Sequence, residues 1–376
     1  MFINTSLEKE KVSQLTGREK EILDMIRNTP MVSQQEIADA LGIARSSVAV
    51  HIANLMKKGY IKGKGYILKD RDYVTVIGGA NIDIIGFPTD VLKMEDSNPG
   101  KVKISLGGVG RNISENLAKM GVDTKLITAV GDDVYGRKIL NECKLSQIDM
   151  DNSLILKNLP SSTYLSVLDE NGDMKLALSD MDITDEINID FIREKSLIIK
   201  NSRCVVVDTN LKKEVIEYLV TNFKGIDFFV DTVSTVKGKK IKNFIGAFHT
   251  IKPNRLEAEE LTGIRIDGEK DIKKAIKYFL DSGVRRVFIS LGKDGIYYGD
   301  NQNTGYIKPQ EIKIINATGA GDAFTAGLVY SYLNDFDIKN STKFAMAASL
   351  IALSHENTIN PNMSIKRIEE IMKEMK

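Results

Sequence analysis

At 376 residues the chain exceeds one ordinary small domain and suits a large α/β domain with a smaller companion. Its 52 Lys and Arg balance 51 Asp and Glu, so bulk charge offers neither a nucleic-acid coat nor an acidic tail, and DNA binding would need a local patch. No apolar run approaches the roughly 20 residues of a membrane span, and Cys143 and Cys204 lack any paired Cys/His spacing, which argues against a disulfide framework or a structural zinc site.

The opening "MFINTSLEKEK" has no signal-peptide pattern, so a soluble cytoplasmic protein is expected. "TGREKEILDMIRN" and "SQQEIADALG" then show helical spacing, with Thr16 and Ser33 as N-caps and Glu19 and Glu36 three residues on. A third helix is expected from about Arg45 to Lys58, reached through the short turn "GIA" that begins at Gly42. "GYIKGKGYILKD" follows as a small hairpin or wing around Gly63 and Gly65. These elements resemble a winged helix-turn-helix domain over residues 1–70. Arg45, Ser46 and Ser47 stand at the start of the third helix, where a recognition helix meets base edges. Lys57, Lys58, Lys62 and Lys64 are placed to reach phosphates of double-stranded DNA. From Gly42 to Asp70 there are six basic residues and one acidic, a local excess on a near-neutral chain. A protein-interaction module with a solvated basic face is the other reading.

From Tyr73 onward strands alternate with helices. "YVTVIGGANIDIIG", "TKLITAV", "CVVVDT", "IDFFVD", "FHTIKPN" and "RRVFISLG" are apolar, β-branched runs separated by amphipathic stretches. The pattern predicts an α/β fold with a doubly wound, mostly parallel sheet covered on both faces. "KVKISL", "STYLSVLD" and "MKLALS" instead alternate apolar and polar residues, which predicts half-buried antiparallel strands forming a small β-lid.

In an open α/β sheet the ligand lies beyond the carboxyl ends of the strands. Four Gly-rich turns are candidates: "GGANID" (78–83), "LGGVGRN" (106–112), "LGKDG" (291–295) and "ATGAGD" (317–322). None is a Walker A loop and none completes G-x-G-x-x-G. Taken singly, a glycine in such a turn serves backbone geometry. The last turn asks more. Gly319, Ala320 and Gly321 leave backbone N–H groups free at a helix start, which binds anions. Asp322 beside them could merely complement the helix dipole. It could also take a proton from a hydroxyl while the nest stabilises a phosphoryl group, which points to phosphoryl transfer to an alcohol.

"GGVGRN", "KPNRLEAEEL" and "ATGAGDAFTAG", in this order and spacing, resemble the ribokinase family of carbohydrate and nucleoside kinases over residues 71–376. The resemblance implies Asp322 as the base, and Gly319, Ala320 and Gly321 as an anion hole. It implies that Asn254 and Glu257 organise ATP and Mg²⁺, the latter through water, and that Ser290, Gly292 and Gly295 line the nucleotide, with adenine near "FAMAASLIAL". Asn81, Asp83, Gly107, Gly108 and Asn112 would hold the ribose hydroxyls. Within the family, "DSNPGKVKISLGGVGRNISENLA" and "SSTYLSVLDENGDMKLALSDM" resemble the branch that phosphorylates the 5′-hydroxyl of pseudouridine. An additional ring N–H of that nucleoside would be met from stretches 97–103 and 161–164, with Thr163 the first choice. Lid strands in this family often pair between subunits, which implies a homodimer. Asn316 stands where many members have Asp near a monovalent-cation site, so a K⁺ requirement is open. "VDTVSTVK" replaces the usual Asp-Pro start of its segment. His51, His249 and His355 are scattered and read as packed or surface histidines. The alternative function is a transcriptional regulator whose kinase-like domain senses a sugar or nucleoside, or a kinase for another member of that substrate class.

Overall fold

Both capping boxes read from the sequence are formed. In the computed structural model, Thr16 and Glu19 cap each other's backbone at the start of the helix Gly17–Asn28, and Ser33 and Glu36 do so for Gln34–Leu41. Gly42 ends the second helix in the left-handed conformation, and the third runs Arg45–Lys57. Ile22, Ile26, Ile37, Val48 and Leu55 form a small core between them. The structure describes residues 15–29, 32–61, 73–310 and 312–375. The wing, with Lys62 and Lys64, lies outside the described residues. Lys58, expected to reach phosphate, instead pairs with the buried Glu19 carboxylate at 2.8 Å. A buried acid without a cation would be costly, so this lysine, itself on the surface, is engaged by Glu19. The chain divides into two units, Met1–Arg71 and Asp72–Lys376.

The second unit contains fifteen described strands. The first eight are β1 (Val74–Ile77), β2 (Asn81–Pro88), β3 (Gly100–Gly107), β4 (Thr124–Ile127), β5 (Ala129–Gly131), β6 (Ile148–Asp149), β7 (Leu154–Leu156) and β8 (Thr163–Leu168). The rest are β9 (Met174–Asp180), β10 (Val205–Asp208), β11 (Phe228–Asp231), β12 (Thr250–Ile251), β13 (Arg286–Ser290), β14 (Ile296–Asp300) and β15 (Thr304–Ile307). Nine form the main sheet in the order β15-β14-β13-β12-β11-β10-β1-β4-β6. It is parallel except for β14 and β15, an antiparallel edge that the sequence patterning did not mark. Successive strand residues feed opposite cores: Val76, Val206 and Phe229 pack on one face, Ile77, Val207 and Val230 on the other. Burial on both faces is why these strands read as continuous apolar runs.

The lid is a four-stranded sheet, β3-β2-β8-β9. Three features of the sheets correct the sequence reading. "YVTVIGGANIDIIG" is two strands in two sheets, because the polar Asn81 and Asp83 cannot enter a strand buried on both faces. "TKLITAV" breaks at Thr128, whose N–H bonds the Ser153 hydroxyl, and β5 pairs β7 in a separate ribbon. The lid is also not wholly antiparallel: β2 pairs β8 in parallel, the long excursion between them supplying the crossover a parallel pair needs.

Candidate active site

The helix Ala320–Leu333 starts from Gly319, which is left-handed at φ 81° and provides no side-chain cap. A Cβ at Gly319 would lie 2.4 Å from the Thr358 carbonyl oxygen, so both conformation and close approach require glycine. The N–H groups of the first turn therefore have neither an intrahelical acceptor nor a side-chain cap, and are open to an anion. A Cβ at Gly321 would come within 3.2 Å of Lys252 Nζ. That ammonium lies 3.8 Å from Asp231 Oδ2 at the end of β11, so a cation stands beside the anion turn.

Asp322 is 8% exposed, and its Oδ2 accepts from Asn112 Nδ2 at 2.7 Å. Burial first, and then the neighbouring Asp231 carboxylate, push its acid up to about 7. The Asn112 bond, Lys252 and Arg111 pull the other way with less force. A carboxyl group tuned to that range suits a general base.

On the lid side, Asn81 Nδ2 donates to Asp83 Oδ1 at 2.6 Å. Burial raises the Asp83 acid against that bond and against Arg111. The Asp83 carboxyl lies directly over Gly107, where a Cβ would meet it at 2.4 Å. Gly108, at φ 95°, lies so close to Gly79 and Ala80 that a Cβ would be 2.5 Å from both. The turns that begin β2 and end β3 are thus pressed together. Asp208, fully buried at the end of β10, fastens them by accepting from Gly79 N at 2.8 Å and Gly110 N at 2.9 Å.

On the other side, Asn254 and Glu257 form a capping box at the start of the helix Arg255–Thr262. Glu257 Oε2 also accepts from the Thr232 hydroxyl at 2.6 Å. A cavity of about 750 Å³ opens beside the anion turn. Lys252, Ser290, Gly292, Ala320 and Gly321 line it, together with the apolar Ile296, Phe324, Met346, Leu350 and Leu353.

Residues 71–365 match the pfkB family of carbohydrate kinases. The chain belongs to that family. It is an ATP-dependent phosphotransferase, as the family match and its relatives agree. It is 39% identical to the pseudouridine kinase of Escherichia coli over 302 residues, covering 80% of this chain and 96% of the relative. It is 36% identical to the uncharacterized sugar kinase YeiI of the same organism over 351 residues, 93% of this chain and 97% of the relative. A solved Clostridium perfringens structure described as a sugar kinase superposes with a TM-score of 0.75 at 42% identity, covering 81% of this chain and 96% of that one. Residues 15–62 match the winged helix-turn-helix DNA-binding family.

The expected residues fall into groups. Asp322, Asn112 and the anion turn are brought together. Asn81, Asp83, Gly107 and Gly108 gather at the base of the lid. Ser290 and Gly292 line the large cavity, as do Met346, Ser349, Leu350 and Leu353 of the stretch expected near adenine. Gly295 does not line it. At φ 92°, and with a Cβ position 2.5 Å from the Ile307 carbonyl, it serves the turn into β14. Asn254 lines an adjoining cavity of about 410 Å³ that shares Ser290 and Gly292. Thr163 faces away from the site, because the register pairs it with Ile82, whose side chain enters the core. Tyr164 is the residue opposite Asp83. Asn316 bonds the Glu356 carbonyl through Nδ2 at 3.0 Å and accepts from Thr318 N at 2.9 Å. In "VDTVSTVK", Val233 is left-handed at φ 56° and its N–H bonds Asp231 Oδ1. His249 stacks on Phe229, and burial lowers it to about 4, as befits a packed histidine.

Sequence reasoning missed Lys252, Asp231, Asp208 and Thr232. A signal existed for the two acids: each ends an apolar strand, and register places them side by side.

Proposed function

We propose that this kinase transfers the γ-phosphoryl group of ATP to the 5′-hydroxyl of pseudouridine, giving pseudouridine 5′-phosphate and ADP. The carrying observation is Asp322, a buried carboxyl held at about 7 beside an uncapped helix start and a lysine. Asp322 takes the hydroxyl proton as the oxygen attacks phosphorus. The N–H groups of residues 319–321 and Lys252 stabilise the charge spread over the phosphoryl oxygens. Asn81, Asp83 and Asn112 hold the ribose, with Gly107 and Gly108 giving it room. The choice of pseudouridine rests on the similarity to the Escherichia coli pseudouridine kinase.

The residues fit Mg²⁺ bound chiefly by phosphate and water. Among the described residues no group of three or more metal-ligating side chains forms a cage. The bonds that Glu257 accepts from Asn254 and Thr232 both land on Oε2, so Oε1 can hold a water of the hydrated ion. When bound, Mg²⁺ neutralises charge on the phosphates.

The N-terminal segment, residues 1–70, is proposed as a DNA-binding domain joined to a kinase domain, residues 71–376. Arg45, Ser46 and Ser47 are exposed at the start of its third helix, and Val50 beside them is 59% exposed, an apolar contact suited to a thymine methyl. A homodimer is supported by the lid face opposite Asp83. Ile104, Ile84, Leu165 and Leu178 form one cross-strand row there, and Val102, Gly86, Val167 and Leu176 the next. Val102, Ile104, Leu176 and Leu178 are each about half exposed or more.

ADP release measured over pseudouridine, uridine, inosine and ribose tests the substrate. Pseudouridine should give the highest kcat/KM, and equal values for uridine or ribose would replace it with a broader sugar-kinase role. A mobility shift on DNA upstream of the protein's own gene should weaken steeply with salt. The absence of any salt-sensitive shift would remove the DNA-binding proposal.

A further inference from the structure

Arg111 is a cation that is only 3% exposed. Its guanidinium donates to the Leu106 carbonyl at 2.9 Å and the Gly107 carbonyl at 3.3 Å, the last residues of lid strand β3. It also donates to the Glu115 carboxylate and to Asn112 Oδ1. A guanidinium only donates. The Asn112 amide must therefore turn its oxygen toward Arg111, and its NH₂ then has one direction left, toward Asp322 Oδ2.

The geometry points to Arg111 as a positioning residue for phosphoryl transfer: by fixing the Asn112 amide it engages Asp322 Oδ2 and leaves Oδ1 to receive the hydroxyl proton. The inference rests on Asp322 being the base. A free amide could rotate and present its own acceptor oxygen to the carboxylate, which would repel the ionised form. Arg111 prevents this and adds positive charge within the site. The charged groups around Asp322 are Asp231 from β11, Lys252 after β12 and Arg111 from the helix Val109–Lys119. Asp231 opposes ionisation, and the two cations favour it. The same side chain grips β3, so the lid strand and the base share one anchor.

Arg111→Met removes both the fork and the charge, whereas Arg111→Lys keeps charge but cannot hold four acceptors at once. The readout is kcat against pH, per folded molecule, with the best nucleoside of the substrate panel. Activity needs Asp322 ionised, so loss of the amide bond and the cation should move the acid limb to higher pH. The expected shift is about one unit for Arg111→Met and a smaller shift in the same direction for Arg111→Lys. KM for ATP should stay within about twofold, since Arg111 does not line the nucleotide cavity. A purely structural arginine would lower kcat equally at every pH. Should Arg111→Met fail to fold, Arg111→Lys decides alone, and an unmoved acid limb in it overturns the inference. Asp322→Asn measured beside them separates the two readings. An active Asp322→Asn enzyme that keeps its acid limb sinks the base, whereas an inactive one with an unmoved limb in Arg111→Lys sinks only the arginine's role.

Discussion

On the phosphate side of Asp322 the chain presents backbone N–H groups, glycines and Lys252 beside a cavity of about 750 Å³. On the lid side it presents short amide and carboxyl side chains at the root of a sheet whose outer strands are exposed. The phosphate side is demanding about backbone: a left-handed turn, no Cβ at Gly319, a helix start with nothing capping it. Few sequences satisfy that, so the same short motif must recur wherever the turn is built. The lid side is demanding about which side chains share a face. Cross-strand register decides that, and many sequences meet it. One half of the site is therefore written locally and the other is assembled from distant segments.

If that contrast holds, the largest loss should come from the centre that both sides share. Asp322→Asn is expected to lower kcat by about 10²- to 10⁴-fold while nucleoside affinity, measured by calorimetry, changes little. Near-normal turnover would dissolve the contrast, since neither side would then be organised around a base. The pH profile sharpens the same point. Asp322 ionises near 7 because burial and Asp231 raise it, so the wild-type kcat should fall as pH drops below 7 and level off above it. Activity flat from pH 5.5 to 8 would contradict that assignment.

Lys252→Met tests the phosphate side alone. The ammonium lies against Gly321, so its removal should lower kcat by about 10²-fold, as loss of one oxyanion donor does, with KM for the nucleoside nearly unchanged. A rise confined to the nucleoside KM would place this lysine on the wrong side of the comparison.

The unequal legibility of the sequence follows from the same contrast. "ATGAGD" and the capping boxes at Thr16 and Ser33 could be read because each depends on near neighbours in the chain. Gly295 was misplaced because a turn glycine and a ligand-lining glycine leave the same mark. Thr163 was misplaced because an isolated strand reveals which residues alternate but not which set faces inward, and the parallel pairing with β2 settles that. Lys58 reads as a surface cation and is one, but its pairing with Glu19, 39 positions away, is visible only in the fold. Lys252 opens the quoted stretch "KPNRLEAEEL", but nothing local gives it a role: it becomes part of the site only when β12 lies beside β11 and the anion turn folds over it.

The smallest effect expected is on the lid, where the two adjacent residues Thr163 and Tyr164 make opposite predictions. Tyr164 pairs with Asp83 across β2 and β8, so its side chain shares the face that carries the carboxyl. Thr163 pairs with Ile82 and points to the core. Among the described residues the Tyr164 hydroxyl has a 3.4 Å contact with the Met174 sulfur, a weak partner that a ring N–H or carbonyl of the nucleoside can replace. Tyr164→Phe should therefore lower kcat/KM for pseudouridine by up to about 10-fold, the worth of one neutral hydrogen bond, and lower that for uridine less. Thr163→Val, close in shape, should leave the ratio of the two substrates within about twofold, because only a half-buried hydroxyl away from the site is lost. The comparison needs both variants measured on both nucleosides. If Thr163→Val changed the preference and Tyr164→Phe did not, the lid would bind its substrate on the opposite face, and the exposed apolar rows now proposed for the dimer would have to be the nucleoside site instead.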